Sequence, residues 1–233
     1  MIKVIQTGPL GVNSLVVSLS ENKVFIVDPA CCSFCGDEKK ITSFLAENNL
    51  EPVAIALTHG HFDHVAGLPF LKKVYPDISV LIHKNDKSYI GAEGIQIQRE
   101  QLSYIGFYDF ADSVCNLCDC DGFLDDEKNL YECLSSCKNT PTNNLLPSVC
   151  DCLKDWKVLY TPGHTMGSIC LYNEKENVLI SGDTLFYKSW GRTDLGGSEE
   201  LIMQSLRKIK NRVDGNALVY PGHDYFGFTL NSQ

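Results

Sequence analysis

Four apolar segments of this sequence end in short polar turns that contain histidine or aspartate. The longest turn follows the apolar residues 53–57 and reads Thr58-His59-Gly60-His61-Phe62-Asp63-His64. The other three turns follow predicted strands and contribute, in chain order, His164, Asp183 and His223. Histidine and aspartate are seldom placed in a packed apolar core. We therefore expect the fold to bring the four strand ends close together, so that these side chains meet in one site.

The residue types in these turns are metal ligands. His59 and His61 are two residues apart in an extended segment and therefore project to the same side, where they can hold one ion. Asp63 and His64 follow at the start of a predicted helix and can turn toward a second ion. Imidazole and carboxylate together suit zinc, iron and manganese. The pattern therefore predicts a metal centre with more than one ion.

The long turn resembles the T-H-x-H-x-D-H signature of the metallo-β-lactamase superfamily, and the later turns resemble its remaining ligands in order. The resemblance implies an α/β fold, an αββα four-layer sandwich of two mixed sheets with helices on both outer faces. It implies two divalent metal ions, zinc first, with iron or manganese as alternatives. The implied first-ion ligands are His59, His61 and His164. The implied second-ion ligands are Asp63, His64 and His223. Asp183 would bridge the ions opposite a hydroxide, which makes Asp63 and Asp183 the expected catalytic carboxylates.

Two further segments resemble glyoxalase II, the hydroxyacylglutathione hydrolases. Pro221-Gly222-His223-Asp224-Tyr225 is similar to its P-G-H-E-Y, and residues 191–198 are similar to the G-R-T-D-x-x-G-G-S of short, single-domain relatives. The resemblance implies a metal-dependent thioesterase acting on small S-acylglutathione-like thioesters, with Tyr225 contacting substrate. Arg192 is a candidate carboxylate binder, because a guanidinium pairs bidentately with that group. Its alternative is an internal pair with Asp194.

Three other functions remain open from the sequence. A persulfide (sulfur) dioxygenase has similar motifs but uses one iron, which by position would be held by His59, His164 and Asp183. A lactonase and a catalytically inactive metal-binding protein are the others. The sequence continues for ten residues beyond His223, so we expect no C-terminal helical domain of the kind that binds glutathione in full-length glyoxalase II.

We expect residues 1–233 to form a single domain of this type, interrupted by a cysteine-rich insertion at residues 113–155 that shows little periodicity. Its seven cysteines are candidate ligands of an additional structural zinc, and a lid with reduced thiols is the alternative. They are Cys115, Cys118, Cys120, Cys133, Cys137, Cys150 and Cys152. A separate group, Cys31, Cys32 and Cys35, follows Asp28-Pro29 and has no assigned task.

Composition excludes several other classes of protein. The net charge of -9 and the pI of about 5.1 disfavour nucleic acid and anionic membranes as partners. No apolar run approaches the roughly 18–20 residues of a membrane span. The start of the chain resembles a strand rather than a secretory signal, so we expect a cytoplasmic protein with reduced cysteines. His83, at a predicted strand end, is expected to be structural.

Overall fold

The strands of the chain form two mixed β-sheets in a computed structural model that describes residues 1–137 and 141–233. In this part of the chain the first sheet has six strands in the order β1-β2-β3-β4-β5-β6, and the second has five in the order β13-β12-β9-β8-β7. A small hairpin joins β10 to β11. The first-sheet strands are Ile2–Thr7, Val12–Ser18, Lys23–Val27, Glu51–Ala56, Ser79–Ile82 and Gly122–Phe123 (β1 to β6). The remaining strands are Trp156–Tyr160, Ile169–Asn173, Val178–Gly182, Leu185–Phe186, Ser189–Trp190, Leu218–Pro221 and Phe228–Thr229 (β7 to β13).

Helices connect these strands and cover the sheets. In chain order they are Lys40–Glu47, Phe62–Val65, Leu68–Val74, Gly91–Tyr104, Tyr108–Ser113, Leu130–Ser135, Pro147–Lys154 and Glu199–Arg212 (α1 to α8). Short 3-10 turns occur at Ser33–Cys35, Lys84–Tyr89, Pro141–Asn144 and Leu230–Ser232. None of the helices in the described residues is both long and apolar enough to cross a bilayer.

Alternation along the strands builds three apolar layers. In β3, Phe25 and Val27 pack between the two sheets, whereas Val24 and Ile26 face the opposite side. That outer side is covered by apolar residues of α1, α3, α4 and α5. On the second sheet, Cys170 and other outward residues pack against Ile209 of α8. The layers are therefore helix, sheet, sheet and helix, which confirms the predicted fold class.

Local signals explain where helix α8 begins and ends. The Ser198 side chain accepts a hydrogen bond from the Leu201 N–H at the start of α8. Two glutamates lie in its first turn, and Lys210 and Arg212 lie in its last, as the helix dipole favours. The strands predicted before the four ligand turns are present as β4, β7, β9 and β12, and the helix predicted to start at Asp63 and His64 is α2.

Residues 113–155 contain regular structure although their sequence shows little periodicity. Two helices, α6 and α7, form there, and α6 begins with a capping box between Asn129 and Glu132. Buried side chains of both helices, including Leu134 and Leu153, join the apolar layer between the sheets. This segment thus packs on the main core, while its description as an insertion stays a prediction.

Candidate metal centre

Five strands deliver polar side chains to one edge of the sandwich. Parallel strands β3 and β4 lead to Asp28 and to the turn that starts at Thr58. In the second sheet β7, β9 and β12 run in one direction and lead to the three later turns. Because the carboxyl ends of parallel strands share an edge, residues far apart in sequence meet here.

One group consists of three buried histidines. The ligand atoms of His59, His61 and His164 lie within 4.8 Å of one another. Nε2 of His61 lies 3.2 Å from the Leu195 carbonyl, and Nδ1 of His164 lies 2.7 Å from the Arg192 carbonyl. Since a carbonyl only accepts, these two nitrogens carry the protons. The opposite nitrogens, His61 Nδ1 and His164 Nε2, then face each other as lone pairs only 2.8 Å apart, an arrangement that calls for a cation between them.

A second group comprises Asp63, His64 and His223, whose ligand atoms also lie within 4.8 Å of one another. The Nδ1 atom of His64 donates to Asp28 Oδ2 at 3.0 Å, and that of His223 donates to the Leu10 carbonyl at 3.1 Å. Both Nε2 atoms therefore point into the site, 3.2 Å apart. Hydrogen bonds on the outer nitrogens fix the ring orientations, as they do around protein-bound metals.

Asp183 lies between the two groups. Its Oδ2 atom is 3.5 Å from Nε2 of both His164 and His223, and its Oδ1 atom is 3.4 Å from His64 Nε2. One carboxylate therefore reaches both histidine clusters. This is the position of a ligand shared by two ions.

Two buried atoms without a hydrogen-bond partner complete the argument for a metal. His59 Nε2 and Asp183 Oδ1 are both buried, and neither atom has a hydrogen-bond partner among the described residues. His59 Nδ1 contacts Thr58 Oγ1, which donates to Asp28, so Nε2 presents a lone pair. A buried polar atom without a hydrogen-bond or metal partner lowers the stability of the folded state. The donor set therefore fits divalent cations, and zinc, iron and manganese all accept these ligands.

The electrostatic environment differs between the two groups. Burial lowers the pKa of His61 and of His164 to about 4, and burial with the neighbouring histidines lowers the pKa of His59 well below its usual value. Burial opposes charge on His64 as well, but the carboxylates of Asp183, Asp63 and Asp28 outweigh it and raise its pKa to about 10.

Asp63 and His223 reinforce each other in the same way. Burial disfavours the charged carboxylate, but His64 and His223 hold the pKa of Asp63 well below its usual range. Burial also opposes charge on His223, yet its hydrogen bond to Asp63 and the Asp183 charge raise the pKa of His223. The first group is therefore neutral near pH 7, whereas His64 in the second group carries a proton that an ion would displace.

A cavity of about 280 Å³ opens onto this centre. It reaches His61, Asp63, His164, Asp183 and His223. Its other walls are mainly apolar and include Leu10, Phe62, Leu102, Ile105, Phe186 and Leu195. An apolar wall beside a polar floor suits a small ligand with one reactive polar group.

Three buried residues that support the metal turns were not singled out from the sequence. Asp28 accepts from the Thr58 N–H, the Thr58 hydroxyl and His64 at 2.7, 2.6 and 3.0 Å. Asp86 accepts from the Gly60 N–H and the Thr165 hydroxyl, and Gln98 donates to the Gly60 carbonyl. Asp28 was recognisable, because it also follows an apolar strand. Asp86 and Gln98 lie in segments without such a signal.

The two predicted substrate residues, Arg192 and Tyr225, lie in different surroundings. Arg192 lines the cavity, but its Nε and Nη2 atoms each donate to Asp194 at 2.7 Å, so the internal pair is present. Tyr225 is exposed and packs edge-on against Tyr187. His83 stacks on Tyr160 away from the centre, consistent with a structural role.

The seven insertion cysteines do not gather into a ligand set. Within the described residues, the groups of three or more candidate ligand atoms that lie close together include none of them. Cys133 and Cys137 are buried, while Cys115 is exposed. The structure therefore gives no ligand set for the additional structural zinc, which stays a prediction.

Comparisons with known proteins agree with this architecture. The sequence profile of the metallo-beta-lactamase superfamily matches residues 7–128 and 153–223. The chain is 30% identical over 217 residues to the probable metallo-hydrolase YqgX of Bacillus subtilis, covering 93% of this chain and 86% of that protein. It is 27% identical over 212 residues to a hydroxyacylglutathione hydrolase of Francisella philomiragia, covering 91% of this chain but 62% of that protein. The solved structure of the BLEG-1 B3 metallo-beta-lactamase superposes with a TM-score of 0.78 at 27% identity, covering 100% of this chain and 95% of the other.

The fold and the centre together define a metallo-hydrolase scaffold with clustered histidine and aspartate ligands. The chain belongs to the metallo-beta-lactamase superfamily. Glyoxalase II proteins are among its relatives, which confirms the resemblance drawn from the sequence.

Proposed function

We propose that this protein is a metal-dependent hydrolase that cleaves small S-acyl thioesters. The observation that carries the proposal is the position of the Asp183 carboxylate, within 3.5 Å of His64, His164 and His223 on the floor of the cavity. His59, His61, His164 and Asp183 would hold one ion. Asp63, His64, His223 and Asp183 would hold the other. Two bound divalent ions lower the pKa of a water and polarise a substrate carbonyl.

The protein's own residues would orient the substrate. The apolar side chains of Phe62, Phe186 and Leu195 line the cavity above the ligands and can receive an acyl chain. The same wall limits the access of bulk water to the reacting carbonyl. Asp63, whose pKa is held below the usual range, stays ionised at neutral pH and can accept a hydrogen bond from water.

The carrier of the acyl group is a finer proposal. We infer an S-acylglutathione-like thioester from the glyoxalase II relatives, of which this chain covers about three fifths. The guanidinium of Arg192 is bound to Asp194 in the structure. The cavity therefore suits the acyl half of the substrate better than an anionic carrier. Zinc as the native metal and a cytoplasmic location stay predictions.

The test uses protein loaded with two equivalents of zinc, an S-acylglutathione and an acyl thioester of a small uncharged thiol. We expect hydrolysis of both, measured by loss of thioester absorbance. Removal of the metal with a chelator should abolish hydrolysis, and added zinc should restore it. Asp183→Asn should lower kcat by at least about a hundredfold, in line with losses of single groups that stabilise a transition state.

Two results would contradict the proposal. Protein with two bound ions that is inert toward both thioesters would exclude this activity. Oxygen uptake on a persulfide by protein containing a single iron would instead support the dioxygenase. An exposed control variant, Asp125→Asn, should match the wild type, because Asp125 lies on the surface beside Lys128.

A further inference from the structure

A tight turn after Asp28 holds two thiols and a carboxylate outside the metal centre. Cys32-Ser33-Phe34-Cys35-Gly36-Asp37 contains Cys-x-x-Cys followed by glycine and aspartate. The ligand atoms of Cys32, Cys35 and Asp37 lie within 4.8 Å of one another. Gly36 adopts a left-handed conformation with φ of 69°, which returns the chain toward Cys32. Three candidate ligands of two types, two thiols and one carboxylate, therefore meet within six residues, and zinc accepts both types.

Backbone hydrogen bonds close the turn that holds the two sulfurs. The N–H groups of Cys35 and Asp37 both donate to the Cys32 carbonyl at 3.3 Å, and the Gly36 N–H donates to the Ser33 carbonyl at 3.0 Å. These bonds keep both thiols and the carboxylate close together before any ion binds. Asp37 uses Oδ1 to accept from Cys32 N at 2.8 Å and Oδ2 to accept from Gly8 N at 2.9 Å. Because a carboxylate offers about four lone pairs, a bond to a metal remains available.

We propose that Cys32, Cys35 and Asp37 form a second, separate metal site that binds one zinc ion. Cys32 is buried and Cys35 is exposed, so the open coordination position faces solvent. Zinc in proteins is usually four-coordinate, and water would occupy that position.

The charge of the turn favours a cation over a redox-active dithiol. Partial desolvation within the turn, the neighbouring Cys32 and the Asp37 carboxylate raise the pKa of the Cys35 thiol to about 12. Burial also raises the pKa of Cys32, and Asp37 adds to it. Thiols protonated at neutral pH attack disulfides and peroxides slowly. A divalent cation placed between the sulfurs and Asp37 offsets the same negative charge and converts both thiols to thiolates.

The location gives the site a structural task. Asp37 anchors Gly8 at the start of the loop between β1 and β2. That loop carries Leu10, whose carbonyl accepts the hydrogen bond that orients His223. An ion at the turn would fix Asp37 and, through Gly8, hold this loop against the catalytic ligands.

The experiment titrates cobalt(II) into the full chain after metal removal and reduction with a phosphine. Cobalt bound by histidine and aspartate shows no sulfur-to-metal charge transfer, so an intense near-ultraviolet band reports thiolate ligation alone. We expect this band in the wild type and its displacement by zinc. Cys35→Ser should lose the band and one equivalent of bound metal. The matched control Ser33→Ala, in the same turn, should retain both.

Several outcomes would overturn the assignment. Absence of the band in the reduced wild type would do so, as would a band of equal intensity in Cys35→Ser, which would place the thiolates elsewhere. A Cys32–Cys35 disulfide found by peptide mapping in protein that binds no cobalt through sulfur would identify a redox pair instead. Circular dichroism of Cys35→Ser separates loss of the site from loss of the fold.

Discussion

Asp28 Oδ2 lies 3.0 Å from Nδ1 of His64, and both side chains are buried. The same oxygen accepts from the Thr58 hydroxyl, and Oδ1 accepts from the Thr58 N–H. Asp28 has a left-handed backbone with φ of 49°, which few non-glycine residues adopt. The strained backbone thus places the Asp28 carboxylate where it holds both Thr58, at the start of the ligand turn, and the ligand His64.

Asp28→Asn should weaken binding of the ion held by Asp63, His64 and His223. Asparagine tolerates the left-handed backbone, so the change isolates the carboxylate. Its amide cannot accept on both sides, and His64 loses the acceptor that fixes its tautomer. We expect the affinity of this ion to fall about 10–100-fold. Metal titration followed by calorimetry measures it; unchanged affinity for both ions would refute the orienting role.

The two ions should respond differently to pH. In the metal-free chain the pKa of His64 is raised to about 10. The protonated His64 therefore stabilises the folded state fully below about pH 6.5, and this stabilisation is lost as the pH rises through about 10. An ion bound there near pH 7 must displace that proton. The pKa values of His61 and His164 are lowered to about 4, so their ion displaces none.

We therefore expect the ion at Asp63, His64 and His223 to weaken by about tenfold per pH unit for each displaced proton. The other ion should persist to about pH 5. Elemental analysis after dialysis from pH 8 to pH 5 measures the order of loss, and calorimetry in two buffers counts the released protons. His223→Ala should leave only the proton-independent step. Simultaneous loss of both ions would contradict the difference in pKa.

Gly222 is required by the closeness of the ligands around it. A Cβ at this position would overlap Asp183 Oδ1 and lie 2.6 Å from His64 Cε1. Gly222→Ala should therefore displace Asp183 and reduce both metal content and kcat, by about a hundredfold or more for the latter. Gly227→Ala is the control, because a Cβ there meets nothing within 4 Å although its φ is 77°. A loss at Gly222→Ala no larger than at Gly227→Ala would show that contact with the ligands does not cause it.

The ligand turns were predictable because each is a local pattern, an apolar strand followed by a polar turn. Helix α4 was not predicted, since its buried positions are mostly small or polar, Gly91, Gly94, Gln98 and Leu102, and hide the helical period. Helix α6 was missed because Cys133 was interpreted as a ligand, whereas it packs as a small apolar side chain.

The supporting contacts could not be derived from local pattern at all. Asp28 meets His64 across 36 positions, and Asp86 meets Thr165 across 79. The first contact depends on the pairing of β3 with β4 within one sheet, and the second depends on how the two sheets are placed against each other. The pairing of Arg192 with Asp194 was one of two alternatives, and only the side-chain geometry decides between them.

Asp86 gives a prediction on stability. Burial raises the pKa of this carboxyl to about 6, against an ordinary value of 3.8. The folded chain therefore binds the proton more tightly, and this contribution to stability is present below about pH 4 and lost as pH rises through about 6. As the pH rises through this interval, the free energy of unfolding of Asp86→Asn should increase relative to that of the wild type by up to roughly 3 kcal/mol.

Urea denaturation of both proteins after metal removal, at several pH values from 4 to 7, measures this difference. Removing the metal prevents ion release from obscuring the titration. The variant keeps an oxygen that can accept from the Gly60 N–H and the Thr165 hydroxyl, so the folds remain comparable. A stability difference independent of pH would show that Asp86 is ionised throughout.

If the protein hydrolyses thioesters as proposed, we expect the Arg192–Asp194 pair to influence which of them bind in the cavity. Both side chains are about half exposed, and the guanidinium is held by two 2.7 Å hydrogen bonds. In Asp194→Asn the amide accepts at one atom only, which releases part of the guanidinium toward the cavity. We expect the KM of a thioester with a terminal carboxylate to fall roughly two- to fivefold, the size typical of an exposed ion pair. The KM of an uncharged thioester should stay unchanged.

Arg192→Ala should raise the KM of the anionic substrate alone. The backbone carbonyl of residue 192, which accepts from His164, is retained in this variant, so the metal ligands should not be disturbed. Equal changes for both substrates would show that the pair only shapes the wall.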